Sequence, residues 1–216
     1  MCGKFTQLYS WQDIVAYSRF LDGVKVVGDE VVVSTPMRFA SILRLNAAGD
    51  REMVQMRWGF AGKDDLNPSR PKHMHARAET IDTLRTFADA FVNRRGILMV
   101  QTFNEGEEVG SRTKQWTIVP RDGKPIAIAV IGEPWTNGTE SLETFVMVTT
   151  PANALIGKIT DRMPAILPRE TWATWLGETD GDAKAVLQTF DDDGGWTMGP
   201  QEGRNTVKQE RQGELF

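Results

Sequence analysis

Gly96-Ile97-Leu98-Met99-Val100-Gln101-Thr102-Phe103 reads as a buried strand running into a turn at Asn104-Glu105-Gly106. Three further strand segments follow it with no helix between them, at residues 115–119, 126–131 and 145–149. Upstream, residues 3–8, 31–34, 40–45 and 51–58 also read as strands. In the last of these, Met53, Gln55 and Arg57 alternate with Val54, Met56 and Trp58. Helices are expected at 11–21, capped by Ser10, and at 80–93, where Leu84, Phe87, Ala88 and Phe91 recur at helical spacing. A short helix at 152–159, one opened by Pro168 and Glu170 that carries Trp172 and Trp175, and one at 182–190 complete the set. Strands and helices do not alternate regularly. That disfavours a doubly wound parallel sheet and points to a mixed α+β domain. There is no internal repeat.

The chain has 216 residues, 40% of them hydrophobic and 25% charged, the balance of one globular domain with a substantial core. No apolar run approaches the roughly 18 residues that span a bilayer, and no basic-then-apolar leader opens the chain. A cytoplasmic protein off the membrane is the expectation. The net charge of −4 means that any nucleic-acid site must be a local basic patch. A single cysteine rules out an internal disulfide and a cysteine-based zinc site. The two histidines, His73 and His75, have no spacing that asks for a metal, so neither metal nor cofactor is expected. Composition changes after Trp196. Residues 201–213 hold one apolar residue, Val207, so 1–196 reads as the domain and 197–216 as a polar, flexible tail.

Cys2 is the residue with the most distinctive chemistry. It is small enough for methionine aminopeptidase to remove Met1, which would leave an α-amine and a thiol on adjacent carbons. The amine can condense with an aldehyde to a Schiff base, and the thiolate can then close a five-membered thiazolidine on the same carbon. An internal cysteine cannot do this, because its nitrogen is an amide. The reference pKa of an α-amine, about 7.7–8.0, leaves a useful neutral fraction near pH 7. The bland reading is an incidental cysteine in a strand.

Four segments carry a resemblance: Met1-Cys2-Gly3-Lys4-Phe5, Arg57-Trp58-Gly59-Phe60, His75-Ala76-Arg77-Ala78-Glu79-Thr80, and Val148-Thr149-Thr150-Pro151-Ala152-Asn153 leading to Asp161-Arg162-Met163-Pro164-Ala165-Ile166-Leu167. Each is weak alone. In this order and spacing, over roughly residues 1–177, they resemble the SOS response-associated peptidase (SRAP) family, whose members shield abasic sites. The resemblance implies a mixed, partly barrel-like sheet wrapped by helices. It also implies a thiazolidine crosslink between an N-terminal cysteine and the aldehyde of an abasic site in single-stranded DNA. Some members cut off a leader to expose the cysteine. Here only Met1 precedes Cys2, so self-cleavage is not expected.

The resemblance carries roles over residue by residue. Cys2 matches the nucleophile. Glu105 falls at the acidic catalyst, although the aromatics that flank the family's glutamate are replaced by Phe103-Asn104-Glu105-Gly106-Glu107. The family usually has asparagine where this chain has His75, and histidine where it has Thr160. Thr160 does not titrate near neutral pH and His75 can. His75 is therefore the candidate substitute, as base for the Cys2 amine or as orienter of its thiolate. The alternative is a diverged member with slow or lost chemistry. Arg77 and Arg162 match arginines that hold the DNA backbone, and Lys4 sits where the family often has arginine, which suits a sequence-independent, salt-sensitive interaction. Trp58 either stacks on DNA or supports the site from the core. Arg70 and Lys72, in or beside the polar loop at 62–71, either add charge to that surface or are simply solvated.

The chain ends Gln212-Gly213-Glu214-Leu215-Phe216, similar to the short peptide with which bacterial proteins bind the sliding clamp, so Gln212, Leu215 and Phe216 are candidate clamp contacts. A monomer is expected. Two other functions stay open. One is an N-terminal-nucleophile peptidase or amidohydrolase, in which Cys2 attacks amides with its own amine as base. The other is a non-covalent sensor of damaged single strands.

Overall fold

The computed structural model describes residues 2–7, 32–62, 65 and 67–201. The expected helix at 11–21 and the clamp-like peptide at 212–216 lie outside the described residues.

Five strands close a barrel: β3 (Phe39–Leu45), β4 (Arg51–Trp58), β6 (Arg95–Val100), β9 (Ile126–Thr136) and β10 (Ser141–Pro151). Around the ring β10 pairs with β4, β4 with β3, β3 with β6, β6 with β9, and β9 with β10 again. Every junction is antiparallel except that of β10 with β4, which is parallel. Two short strands extend this sheet along β10: β5 (His75–Arg77), parallel to it, and β11 (Arg162–Pro164), antiparallel. A second sheet runs in the order β12 (Trp196–Pro200), β8 (Arg112–Pro120), β7 (Thr102–Val109), β1 (Lys4–Gln7), β2 (Val32–Ser34). The mixed, partly barrel-like α+β architecture holds, with strands predominating.

Alternation along the strands divides the interior in two. Ile42, Met56, Leu98, Ile128, Val130, Phe145 and Met147, drawn from all five barrel strands, form one core with Phe5, Phe103 and Ile118 of the second sheet. The opposite faces, with Leu43, Ile97, Met99, Ala129, Ile131 and Val146, form the other core with the helices. α1 (Arg85–Asn93) contributes Phe87, Ala90 and Phe91, and α2 (Trp172–Leu176) contributes Trp172 and Trp175. Strands 126–131 and 145–149 are apolar on both faces because both faces are covered. No helix among the described residues is long and apolar enough to cross a membrane.

Several elements differ from expectation. α1 begins at Arg85, five residues late. Residues 80–84 form turns in which the Thr83 hydroxyl bonds the Thr80 carbonyl, competing with the helical ladder. The 152–159 segment narrows to a 3-10 turn, Ile156–Lys158, because the Asn153 side chain accepts the backbone N–H of Leu155 and Ile156. Residues 182–190 are turns and coil, with backbone bonds of turn spacing such as Ala185 N–H to Asp182 O. The expected turn at Glu105 lies inside β7. The chain reverses instead at Gly110, whose φ of +62° suits the tight link from β7 to β8. β12 pairs with β8, so the boundary expected after residue 196 falls on its first residue.

Candidate functional site

Cys2 stands two residues before β1, where the second sheet meets the barrel. β1 pairs with β7 in a register that sets Lys4 opposite Asn104 and Phe5 opposite Phe103, so continuing it brings Gly3 opposite Glu105. Phe5 packs on Trp58 with ring centroids 5.4 Å apart, which locks this edge onto the barrel. Cys2 is 1% exposed and its thiol donates to the Lys4 carbonyl at 3.4 Å. Burial pushes the thiol well above its usual range, and the nearby Glu105 carboxyl pushes it the same way.

Glu105 is fully buried within β7. Loss of hydration pushes its carboxyl up to about 7, with the Cys2 backbone N–H among the nearby groups that pull the other way. A carboxyl that titrates near neutrality therefore lies close to the nitrogen of Cys2. The same residue in a turn would have been hydrated and ionised. Asn104, beside it, is buried because its side-chain amide donates to Thr117 Oγ1 at 2.7 Å.

His75 approaches Cys2 from the barrel. Its strand, β5, is placed by Gly59, whose φ of +124° turns the chain after β4 and whose missing side chain leaves room for Pro71. A Cβ there would stand 2.6 Å from the proline ring. Phe60 then bridges to His73, and the chain returns along β10 as β5. His75 Nε2 lies 2.8 Å from the Cys2 carbonyl oxygen. Burial pushes its imidazole down to about 4, so the ring is neutral near pH 7. Since a carbonyl only accepts, Nε2 carries the hydrogen and donates it. Trp58 is the wall behind this contact. It is 0% exposed, its indole N–H donates to the Met74 carbonyl at 2.9 Å, and its ring meets His75 edge-on at 5.7 Å. Of the two roles the sequence left open for Trp58, burial leaves the supporting one.

The expected cations are placed differently from one another. Arg77 is exposed at the end of β5 and Lys4 is half-buried on β1. Arg70 and Lys72 are exposed. Arg162 is 8% exposed and clamps Glu79 with two bonds of 2.6 and 3.0 Å, while also donating to the Thr149 carbonyl at 2.6 Å. The hydrogen bond from Arg162 holds the Glu79 carboxyl below its usual range. Thr160 is half-buried between the 3-10 turn and β11, its backbone N–H on the Ile156 carbonyl. Its neighbour Asp161 is close enough to Glu105 to raise the latter's pKa. No group of three or more potential metal-ligating side chains occurs among the described residues.

The sequence reading missed Trp116. β8 pairs with β7 so that Trp116 lies directly opposite Glu105. Nothing local marks this position, because only the long-range register creates it.

A family model described as SOS response associated peptidase (SRAP) matches residues 1–198. Among curated proteins, the chain is 30% identical over 202 residues to abasic site processing protein YoqW of Bacillus subtilis (strain 168), covering 89% of each. It is 27% identical over 190 residues to abasic site processing protein YedK of Escherichia coli (strain K12), covering 82% of this chain and 79% of the relative. Among solved structures, a Bordetella bronchiseptica protein superimposes with a TM-score of 0.78 at 21% identity, over 93% of this chain and 100% of the other. One from Bacteroides thetaiotaomicron gives 0.75 at 22% identity over 91% of each. These two likenesses concern the fold.

Proposed function

The chain belongs to the SOS response associated peptidase (SRAP) family, and from that premise we propose that Cys2, once its α-amine is free, captures the aldehyde of an abasic site in single-stranded DNA as a thiazolidine. The reading makes the protein a DNA-processing enzyme that shields the lesion during the damage response. Relatives named as abasic site processing proteins support the substrate class.

One observation carries the reading. The β1–β7 register brings the buried Glu105 carboxyl beside the Cys2 nitrogen, the atom that becomes the amine when whatever precedes Cys2 is removed, and the N–H there helps to lower the carboxyl's pKa. The steps follow from that contact. The carboxylate takes a proton from the ammonium, and the freed amine adds to the aldehyde carbon. The carboxylic acid then returns the proton to the carbinolamine hydroxyl, which leaves as water and gives the iminium. Sulfur adds to the same carbon, the thiol proton is released, and the ring closes. A group with a pKa of about 7 suits both transfers at neutral pH.

His75 acts as an orienter. Its Nε2–H holds the Cys2 carbonyl and so fixes the rotation that aims the amine and thiol, and its neutral ring takes no proton in the cycle. Arg77, Lys4 and, on release from Glu79, Arg162 neutralise DNA phosphates. The tail residues Gln212, Leu215 and Phe216 dock on a sliding clamp. A pull-down in which a tail-deleted variant is retained as well as the full chain would remove that last proposal.

The test is a denaturing gel after mixing the protein with an abasic single-stranded oligonucleotide, run beside an amide-turnover assay. A gel-stable adduct in the wild type that Cys2→Ala lacks is the expected result. Amide turnover without adduct means a hydrolase, and binding without either means a non-covalent sensor.

A further inference from the structure

The geometry points to Trp116 as a stacking platform for a base next to the lesion, with Lys114 as the cation that leaves its ring to meet a phosphate. This rests on the DNA-binding reading above and adds a subsite to it. Trp116 is half-buried on β8 and directly opposite Glu105 in the β7 pairing. Residues paired this way project from the same face of the sheet with Cβ atoms roughly 5 Å apart. The indole therefore stands beside the carboxyl that neighbours the Cys2 nitrogen, where the base next to a captured lesion would lie.

Its orientation is fixed. The indole N–H donates to Glu107 Oε2 at 2.8 Å, two residues along the same strand and on the same face as Glu105. One ring face carries the Lys114 ammonium, 4.1 Å from the centroid, on an exposed side chain. A tryptophan held by one edge, with a cation resting on its face, has the form of a surface awaiting a flat partner. Magnitudes favour the exchange. An exposed cation–π contact is worth about 2- to 5-fold in an equilibrium constant. A base stacked on an aromatic side chain is worth about 5- to 150-fold, and the displaced Lys114 gains a phosphate. An abasic strand also lacks one of its own stacking contacts at the lesion, so the base beside the gap has a free face to offer.

The test uses single-stranded oligonucleotides with a reduced abasic site, which has no aldehyde, so that binding is measured without capture. Adenine flanks the site on both sides in one, and a baseless spacer replaces the 5′ or the 3′ neighbour in the others. Anisotropy titrations of the full chain should show about 10-fold weaker binding when one of the two neighbours is a spacer. Trp116→Leu should lose that difference and Trp116→Phe should keep most of it, while Lys114→Gln should flatten the salt dependence. Equal weakening of all oligonucleotides by Trp116→Leu, or discrimination that survives it, overturns the platform, as does a wild type that binds none of them. Binding and discrimination without capture of an unreduced site would sink the covalent reading and leave the platform standing.

Discussion

Cys2 and Arg162 are both buried, and they are held in opposite ways. Around Cys2 the polar groups are kept near neutrality. The thiol is protonated, the His75 ring is uncharged, and Glu105 titrates near pH 7. Around Arg162 full charges are kept and paired, with two bonds to Glu79 and one to the Thr149 carbonyl. The difference separates two tasks. Proton transfer needs groups whose two states lie close in energy, which dry surroundings create by penalising charge. Phosphate binding needs a permanent charge, and an unpaired one cannot stay buried. Glu79 supplies that pairing, and under the proposed function a DNA phosphate would have to displace it.

The largest expected effect would break the comparison at the Cys2 end. Glu105→Gln should slow capture by about 10²- to 10⁴-fold in single-turnover assays. The wild-type rate should rise with pH through about 7 as the carboxylate forms, and the variant should lose that rise. The stability sign follows from the same shift. The folded carboxyl titrates near 7, above its unfolded value, so the native state binds more protons between the two, and stability falls as pH rises through that window. Above pH 7, Glu105→Gln should therefore melt at a higher temperature than wild type, and a lower melting temperature there would contradict the dry setting.

Next comes His75. Loss of the bond to the Cys2 carbonyl in His75→Ala is worth about 1 kcal/mol, or roughly 5- to 10-fold in rate. His75→Asn, which restores a donor without a titratable ring, should recover most of it. If His75→Asn stays as slow as His75→Ala and both lose a dependence on a group titrating near pH 4 that the wild type shows, the ring is a proton carrier and the orienting role is wrong.

Part of this was legible from sequence and part was not. Alternation in residues 51–58 and the apolar run at 126–131 identify strands because each pattern is local. Cys2, Glu105 and His75 could be singled out as residues, but the contacts between them depend on pairings of distant segments. β1 meets β7 about a hundred residues away, and β5 joins the sheet only through β10. Glu105 read as a turn because Asn-Glu-Gly is turn-like, and the register that buries Asn104 against Thr117 is a tertiary effect that overrides it. The helix expected at 182–190 failed for a related reason. Asp182 caps a turn through Lys184, and Lys184 is drawn to Asp82 of a distant segment at 2.5 Å.

A smaller effect would sharpen the comparison at the Arg162 end. Arg162→Ala takes one of two donors from the Thr149 carbonyl, which keeps the Ala78 N–H, and frees Glu79, which is nearly half exposed and regains water. With that screening, a loss of about 1–2 kcal/mol is expected, a fall in Tm of several degrees. Arg162→Lys should recover less than half of this, because it cannot form the two-pronged contact. The smallest expected change is at Thr160, where Thr160→His adds a titratable ring near Glu105. It should change the capture rate by less than about 10-fold, since in the proposed mechanism Glu105 serves the Cys2 nitrogen.

The most direct measurement is the intact mass of the product of wild-type protein and an abasic single-stranded oligonucleotide, with and without borohydride. A thiazolidine at Cys2 predicts the sum of the two masses less one water, unchanged by borohydride, and no such species from Cys2→Ala. A product that gains two hydrogens on reduction, or an adduct that persists in Cys2→Ala, would contradict the account.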